Sequence, residues 1–281
     1  MLRIAVPNKG SLSLAAAEML REAGYRGRRD PKELVLTDLD HDIEFFFLRP
    51  RDIAVYVGSG SLDGGITGRD LLLDSGTAAV ESMALGFAAS TFRFAAKPGV
   101  AANVMDIEGK RVATSYAGLV SSHLAQHGVT ADVVRLDGAV ETAITLGVAD
   151  VIADVVETGS TLRQQGLAVF GDPILLSEAV LIQRADSRSQ GALDVLARRL
   201  QGVITAHRYV MMDYDVRIEL VEQACALTPG LESPTVSPLH DEGYAAVRAM
   251  VPRNRTNQLM DDLYDLGARA ILVTDISACR L

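Results

Sequence analysis

The chain has 281 residues, 48% of them hydrophobic, which is enough apolar surface for one large domain or two to three small ones. A formal net charge of −9 with no dense basic patch disfavours a nucleic-acid backbone as partner. No uninterrupted apolar run reaches the ~18 residues of a membrane span, and Leu2-Arg3-Ile4-Ala5-Val6 opens the chain as a strand without a leader; a cytoplasmic protein without membrane or nucleic-acid partners is expected.

Residues 2–7 read as a strand, Asn8-Lys9-Gly10 as a turn, and Ser11 or Ser13 as the cap of a helix ending at Gly24 with Leu12, Ala16, Met19 and Ala23 on one face. Residues 52–60 read as a helix that turns through Gly60-Ser61-Leu62-Asp63 into the apolar run Gly64-Gly65-Ile66-Thr67. The same grammar returns later: residues 141–146 are helical, Gly147-Val148-Ala149-Asp150 repeats the Gly-x-x-Asp turn, and residues 151–156 form a β-branched strand. The repeat has two readings, a common helix-to-strand turn used twice, or two similar α/β lobes with a ligand cleft between them. Apolar runs at residues 84–96 and 174–182 read as strands buried on both faces that carry the chain between lobes. From Tyr209 the order becomes strand 209–214, helix 217–227, strand 233–238, strand 244–251, helix 256–266 and strand 268–274. That βαββαβ series is the ferredoxin-like unit, with Thr228-Pro229-Gly230 and Pro252-Arg253-Asn254 as turns, and it predicts a separate small domain.

The densest chemical signal is Asp154-Val155-Val156-Glu157-Thr158-Gly159-Ser160-Thr161-Leu162, a strand running into a hydroxyl-rich glycine turn and then a helix. Such a turn suits a phosphate: Gly159 permits close backbone approach, the first helical amides point at the anion, and Thr158, Ser160 and Thr161 add donors. An ordinary Ser/Thr cap is the alternative. No lysine follows the glycine, so this is not a Walker A loop. Asp154 and Glu157 carry acceptor-only side chains suited to vicinal ribose hydroxyls, or else mark a strand end and a helix start. Lys9, in the first strand-to-helix turn, and Arg49, after Phe45-Phe46-Phe47-Leu48, suit phosphate or pyrophosphate, or a surface ion pair. The glycines at 58, 60, 64, 65 and 68 never give G-x-G-x-x-G. His123 and His127 lack a third ligand, Cys225 and Cys279 lack any zinc or redox spacing, and no Ser-His-Asp or Cys-His grouping supports nucleophilic catalysis.

Around the glycine turn, Glu141, Gly147, Ala149, Ile152, Asp154, Val155, Thr158, Gly159, Thr161 and Leu162 match in order and spacing the signature of the ATP phosphoribosyltransferase family. The chain resembles that family throughout, in Ala5-Val6-Pro7-Asn8-Lys9-Gly10, residues 45–57, Gly65-Ile66-Thr67-Gly68-Arg69-Asp70, Arg135-Leu136-Asp137-Gly138-Ala139-Val140-Glu141 and Thr228-Pro229-Gly230-Leu231-Glu232-Ser233-Pro234-Thr235. The resemblance implies an α/β fold of two periplasmic-binding-protein-like lobes and a C-terminal ferredoxin-like, ACT-like regulatory domain, as in the long-form enzymes. The implied boundaries are 1–90 with 184–211 for the first catalytic lobe, 91–183 for the second, with the phosphoribosyl pyrophosphate loop, and 212–281 for the histidine-binding domain.

The implied reaction condenses ATP with 5-phosphoribosyl 1-pyrophosphate, with Mg²⁺ held mainly by substrate phosphates. Feedback inhibition by L-histidine, a homo-oligomer of dimers and hexamers, and the lack of a separate regulatory subunit are implied too. By resemblance Lys9, Arg49, Asp154 and Glu157 are catalytic. Asp154, Glu157, Thr158, Gly159, Ser160, Thr161 and Leu162 would bind phosphoribosyl pyrophosphate. Asp70, Ser90 and Tyr116 would bind ATP, Tyr116 by stacking, and Asp215, Leu231, Ser233, Thr235 and Ala270 would bind histidine. Tyr116-Ala117-Gly118-Leu119 lacks the proline often found after the tyrosine, which leaves the shape of that loop open. Two other readings stand beside this one: a non-catalytic two-lobed receptor or effector module, and a phosphoribosyltransferase acting on another base or amine.

Overall fold

The computed structural model describes residues 1–30, 32–156, 159–185, 190–240 and 243–280. Two compact units emerge, one of Met1–Arg21 and Tyr25–Ala197, the other of Glu22–Gly24 and Arg198–Leu281.

The first unit begins with β1 (Leu2–Pro7), α1 (Ser11–Glu22), β2 (Val35–Asp38), β3 (Ile43–Leu48), α2 (Pro50–Gly58), β4 (Gly64–Gly68), α3 (Arg69–Ser75) and β5 (Ala79–Ala84). It continues with β6 (Ser90–Ala96), β7 (Arg111–Thr114), α4 (Ala117–Gln126), β8 (Asp132–Arg135), α5 (Thr142–Thr145), β9 (Val151–Val156), α6 (Ser160–Gln164), β10 (Ala168–Ser177) and β11 (Ala179–Arg184). These strands build two sheets, ordered β2-β3-β1-β4-β11-β5 and β10-β6-β9-β7-β8, each the centre of one α/β lobe.

Each sheet contains three adjacent parallel strands, β3-β1-β4 in one and, reaching its edge, β9-β7-β8 in the other. Strand β1 is buried along its length except at Arg3, as its letters Ile4, Ala5 and Val6 require of a strand covered on both faces. Strand β3 alternates, sending Phe45 and Phe47 inward. Helix α2 opens on Pro50, where a missing N–H costs no helical hydrogen bond.

The repeated Gly-x-x-Asp turn is a repeated structure. In the first lobe the Arg3 amide donates to the Asp63 carboxylate at 2.8 Å and the Asp63 amide donates back to the Arg3 carbonyl at 2.9 Å. In the second lobe Arg111 and Asp150 exchange the same two bonds at 3.0 Å each. The turn glycines, Gly60 and Gly147, both sit at positive φ, 77° and 71°. Of the two readings of the repeat, two similar lobes is the right one.

Both long apolar runs are divided between the sheets. The first crossing takes residues 85–89, between β5 and β6; the second takes Glu178 alone, between β10 and β11. Strand β11 pairs with β4 and β5, so residues 179–183 join the first-lobe sheet together with Arg184, whereas the boundary after residue 183 had put them in the second lobe. An unbroken apolar run carries no mark of where one sheet hands over to the next.

Helix α7 (Gln190–Arg208) leads into the second unit, which holds β12 (Tyr209–Arg217), α8 (Val221–Leu227), β13 (Thr235–Pro238), β14 (Tyr244–Pro252), α9 (Thr256–Leu266) and β15 (Arg269–Asp275). Its antiparallel sheet, ordered β13-β14-β12-β15, gives the expected ferredoxin-like unit. Its first strand starts at Tyr209, which already pairs with Pro252, ahead of the expected boundary at residue 212. Val210, Met212, Tyr214 and Val216 face inward onto Leu259 and Leu263, and the buried Tyr214 hydroxyl lies 2.7 Å from Thr228 Oγ1. No described helix is long and apolar enough to cross a membrane.

Candidate active site

In open α/β sheets ligands bind outside the carboxyl ends of the strands. At that edge of the first lobe, Lys9 follows β1 and Arg49 caps α2 just after β3. The two strands end side by side, Pro7 against Leu48, with the Asn8 amide on the Leu48 carbonyl at 2.8 Å. Lys9 and Arg49 are exposed, and among the described residues neither has an ion-pair partner. The surface ion pair that competed for these two positions is thus not formed with any described residue.

Asp70, at the start of α3, is 7% exposed and held at both ends: its amide donates to Ser177 Oγ at 3.1 Å, and that hydroxyl donates to Asp70 Oδ1 at 2.9 Å. Ser177 pairs with Ser90 across β10 and β6, which puts Ser90 next to Asp70's anchor. Tyr116 comes from the other lobe, at the cap of α4. Burial and then the Asp70 carboxylate push the pKa of its hydroxyl above the ordinary value, so it stays protonated at neutral pH. Phe92 meets the ring edge-on at 5.0 Å and the Arg51 guanidinium covers one face at 4.4 Å. Arg51 also donates to the Ser115 carbonyl at 2.8 Å and lies 3.5 Å from Asp74, whose other oxygen takes the Leu119 amide at 3.1 Å. Gly118 makes this approach of the lobes possible, since a Cβ there would lie 2.5 Å from the Asp74 carbonyl. The tyrosine loop left open for want of a proline is therefore shaped by Arg51, Asp74 and Gly118.

Asp154 sits on β9, opposite Arg93 of β6. Burial pushes its carboxyl above its ordinary value against the Val155 amide, which donates to it at 2.8 Å; Glu141 and Asp70 push it further up and Arg51 opposes them. Asp70, Tyr116, Arg51, Glu141 and Asp154, drawn from both lobes, thus share one electrostatic site. Beyond β9, Gly159 turns at φ 67° in the left-handed region and caps α6. The cap residue is a glycine, so it offers no side-chain acceptor to the first helical amides. Glu141, Asp154, Val155, Val156, Gly159, Ser160, Thr161 and Leu162 line a cavity of about 420 Å³. Glu157 and Thr158 lie outside the described residues. A second cavity of about 500 Å³ borders it through Val156 and is lined by Arg69, Gly86, Ser90 and Ser177 among others.

The residues expected to hold histidine lie in the second unit. Asp215 and Thr235 share the sheet face turned away from the helices, because Thr235 pairs with Arg248, Arg248 with Asp213, and Asp215 is two residues on. The pairing of β12 with β15 slips between Asp213 and Asp215, and Ala270 in the slipped segment has φ 51°, a left-handed conformation unusual for alanine. Leu231 and Ser233 lie in the turn before β13.

Three residues of the site escaped the sequence reading: Arg51, Ser177 and, as a cavity residue, Glu141. Their partners are 64 residues away for Arg51 and 107 for Ser177, so the local sequence assigns neither of these two a role. The rings of His123 and His127 lie 4.4 Å apart and tilted by 43°, and among the described residues no group of three His, Cys, Asp or Glu is placed to hold a metal ion.

Comparison with known proteins agrees with this architecture. The family model for ATP phosphoribosyltransferase matches residues 49–202, and the model for the HisG C-terminal domain matches residues 206–278. The chain is 67% identical over 284 residues to the ATP phosphoribosyltransferase of Pseudarthrobacter chlorophenolicus and 65% identical over 285 residues to that of Streptomyces coelicolor, covering both partners in full each time. Among solved structures, the ATP phosphoribosyl transferase (HisG:HisZ) complex from Thermotoga maritima contains a chain that is 27% identical. The match covers 73% of this chain and 98% of that one with a TM-score of 0.64. With both family models matched in turn along the chain and full-length relatives at 65–67% identity, the chain belongs to the ATP phosphoribosyltransferase family.

Proposed function

We propose that the family's reaction runs in the cleft between the two sheets with a definite division of labour among its residues. As a family member the chain is a pentosyltransferase of the first step of histidine biosynthesis, condensing ATP with 5-phosphoribosyl 1-pyrophosphate. N1 of the adenine attacks C1′ of the ribose, the C1′–O bond to pyrophosphate breaks, and the products are N1-(5-phosphoribosyl)-ATP and pyrophosphate. N1 already carries a lone pair, so catalysis is positioning and electrostatics without a dedicated general base.

The convergence of Asp70, Tyr116, Arg51 and Asp154 from two lobes onto one site carries this reading. The left-handed Gly159 and the opening amides of α6 suit the 5′-phosphate of the sugar donor, with Ser160 and Thr161 adding hydroxyls and Leu162 an apolar part of the cavity lining. Asp154 faces the ribose, where its negative charge stabilises the cation-like sugar as pyrophosphate departs; the motif gives Glu157 the same side and Thr158 the phosphate. Asp70, Ser90 and Tyr116 take the nucleotide. Because Arg51 covers one face of the Tyr116 ring, adenine would have to stack on the other. Lys9 and Arg49 supply uncommitted positive charge for pyrophosphate or the ATP phosphates.

The cation is Mg²⁺ in this reading. Glu141 and Asp154 line one cavity, and Mg²⁺ usually takes one or two carboxylates along with substrate phosphates, so these residues fit it. When bound, the ion would offset charge on the departing pyrophosphate.

L-histidine would bind the second unit at Asp215, Leu231, Ser233, Thr235 and Ala270, supported by the strained Ala270 beside Asp215. A chain with its own regulatory domain needs no separate regulatory subunit, and it would assemble as dimers and hexamers in the cytoplasm. Incubation with ATP, phosphoribosyl pyrophosphate and Mg²⁺ tests the reaction: pyrophosphate should appear only when both substrates are present. A receptor would release none, and an enzyme for another base would leave ATP unconsumed. Lys9→Glu and Arg49→Glu should each cut kcat/KM by about a hundredfold or more at unchanged melting temperature; wild-type kinetics in both would remove them from the site.

A further inference from the structure

Two adjacent residues at the start of α3 are locked to two adjacent residues at the joint between the sheets. Arg69 donates its amide to the Glu178 carbonyl at 3.0 Å and a guanidinium N–H to Glu178 Oε1 at 3.3 Å. Its remaining donors hold the Leu176 carbonyl at 3.2 Å and both oxygens of Glu81 at 2.8 Å. Asp70, next in the chain, is held through its amide and Oδ1 by the single hydroxyl of Ser177. Glu178 also takes the Gly86 amide at 3.0 Å on Oε2, and Gly86 belongs to the other crossing between the lobes. Asp70 is therefore mounted on the joint itself, at a point where both crossings and the first sheet are tied together.

Asp70 and Ser177 are 7% and 5% exposed, so the carboxylate has lost most of its bulk hydration and depends on nearby protein donors. A buried carboxylate deprived of a donor turns toward another or loses its charge. We propose that Ser177 is a positioning residue of the reaction: by holding one oxygen of Asp70, its hydroxyl keeps the other directed into the nucleotide side of the cleft. This rests on the reading that Asp70 binds ATP. Arg69 and Glu178 act on the backbone side of the same bracket and keep Ser177 in register with Asp70.

The test is steady-state kinetics of the full-length chain with Ser177→Ala, Asp70→Asn and the double variant, each checked for folding by thermal denaturation. Ser177→Ala should raise KM for ATP about tenfold, the cost of one hydrogen bond to a charged group, and leave KM for phosphoribosyl pyrophosphate unchanged. In the Asp70→Asn background the same change should have little further effect, because Ser177 acts through Asp70. Ser177→Cys keeps the volume and a weak donor, is expected between wild type and alanine, and decides the matter if Ser177→Ala does not fold. A raised KM in Asp70→Asn with an unchanged one in Ser177→Ala or Ser177→Cys, or additive effects in the double variant, overturns the positioning role alone. An unchanged KM in Asp70→Asn overturns the nucleotide assignment of Asp70 and this proposal with it.

Discussion

Asp154 is held where its charge is costly. Burial raises its carboxyl above the ordinary value, so the folded state binds its proton more tightly than the unfolded chain does. Stability contributed at this position is therefore greatest in acid and falls as pH rises through the unfolded and then the folded value. At neutral pH the ionised group destabilises the fold, and Asp154→Asn should raise the melting temperature while lowering kcat by about a hundredfold or more. Activity carries the opposite sign: it needs the ionised form, so kcat/KM should fall on the acid side at a pH above the usual carboxylate range, and that limb should vanish in Asp154→Asn. A variant with unchanged kcat would strip Asp154 of its role beside the ribose. The strand, glycine turn and helix around residues 154–156 and 159–162 were legible because the apolar run, the glycine and the hydroxyls are contiguous. Arg51 and Ser177 were not, because each is defined by a partner in a distant strand or loop that only the fold brings near.

The Gly-x-x-Asp turns show what an element can reveal from sequence. Each aspartate seals the entry of a parallel strand by pairing with the first residues of the strand beside it, and the seal needs only a turn glycine and a carboxylate at fixed spacing. In the second lobe Arg111 adds its guanidinium to both oxygens of Asp150, and these bonds hold that carboxyl down to about 2. Its contribution is present above the unfolded value and is lost as pH falls toward the folded one. Asp150→Ala should lower the melting temperature at pH 7, by a margin that shrinks on acidification below about pH 4; a margin independent of pH would mean the carboxylate does not act through its charge. Helix α4 depends on a rarer feature. Gly118→Ala would drive a Cβ into the Asp74 backbone, costing about 1–3 kcal/mol and displacing Tyr116 just upstream, so KM for ATP should rise together with the loss of stability. The strand and helix series of the C-terminal domain was readable because its turns carry proline and glycine. The crossings at residues 85–89 and Glu178 were not, since continuous apolar sequence gives no punctuation.

At the scale of the molecule, the candidate active site lies in the first compact unit and the proposed effector site in the second. If the second unit senses L-histidine, Asp215→Ala should raise the half-inhibitory concentration at least about tenfold, the loss of a charge-assisted bond to the ligand's amino or imidazolium group; undiminished inhibition would move the effector site elsewhere. The two-lobed core makes its own demand, that the sugar donor be gripped at one defined bend of the second lobe while the nucleotide is held from Asp70 and Tyr116. Crystals of the full-length chain soaked with phosphoribosyl pyrophosphate test that demand most directly. The expected map has the 5′-phosphate seated at Gly159, Ser160 and Thr161 with the ribose toward Asp154. A phosphate bound at any other place, with that bend empty, would contradict it.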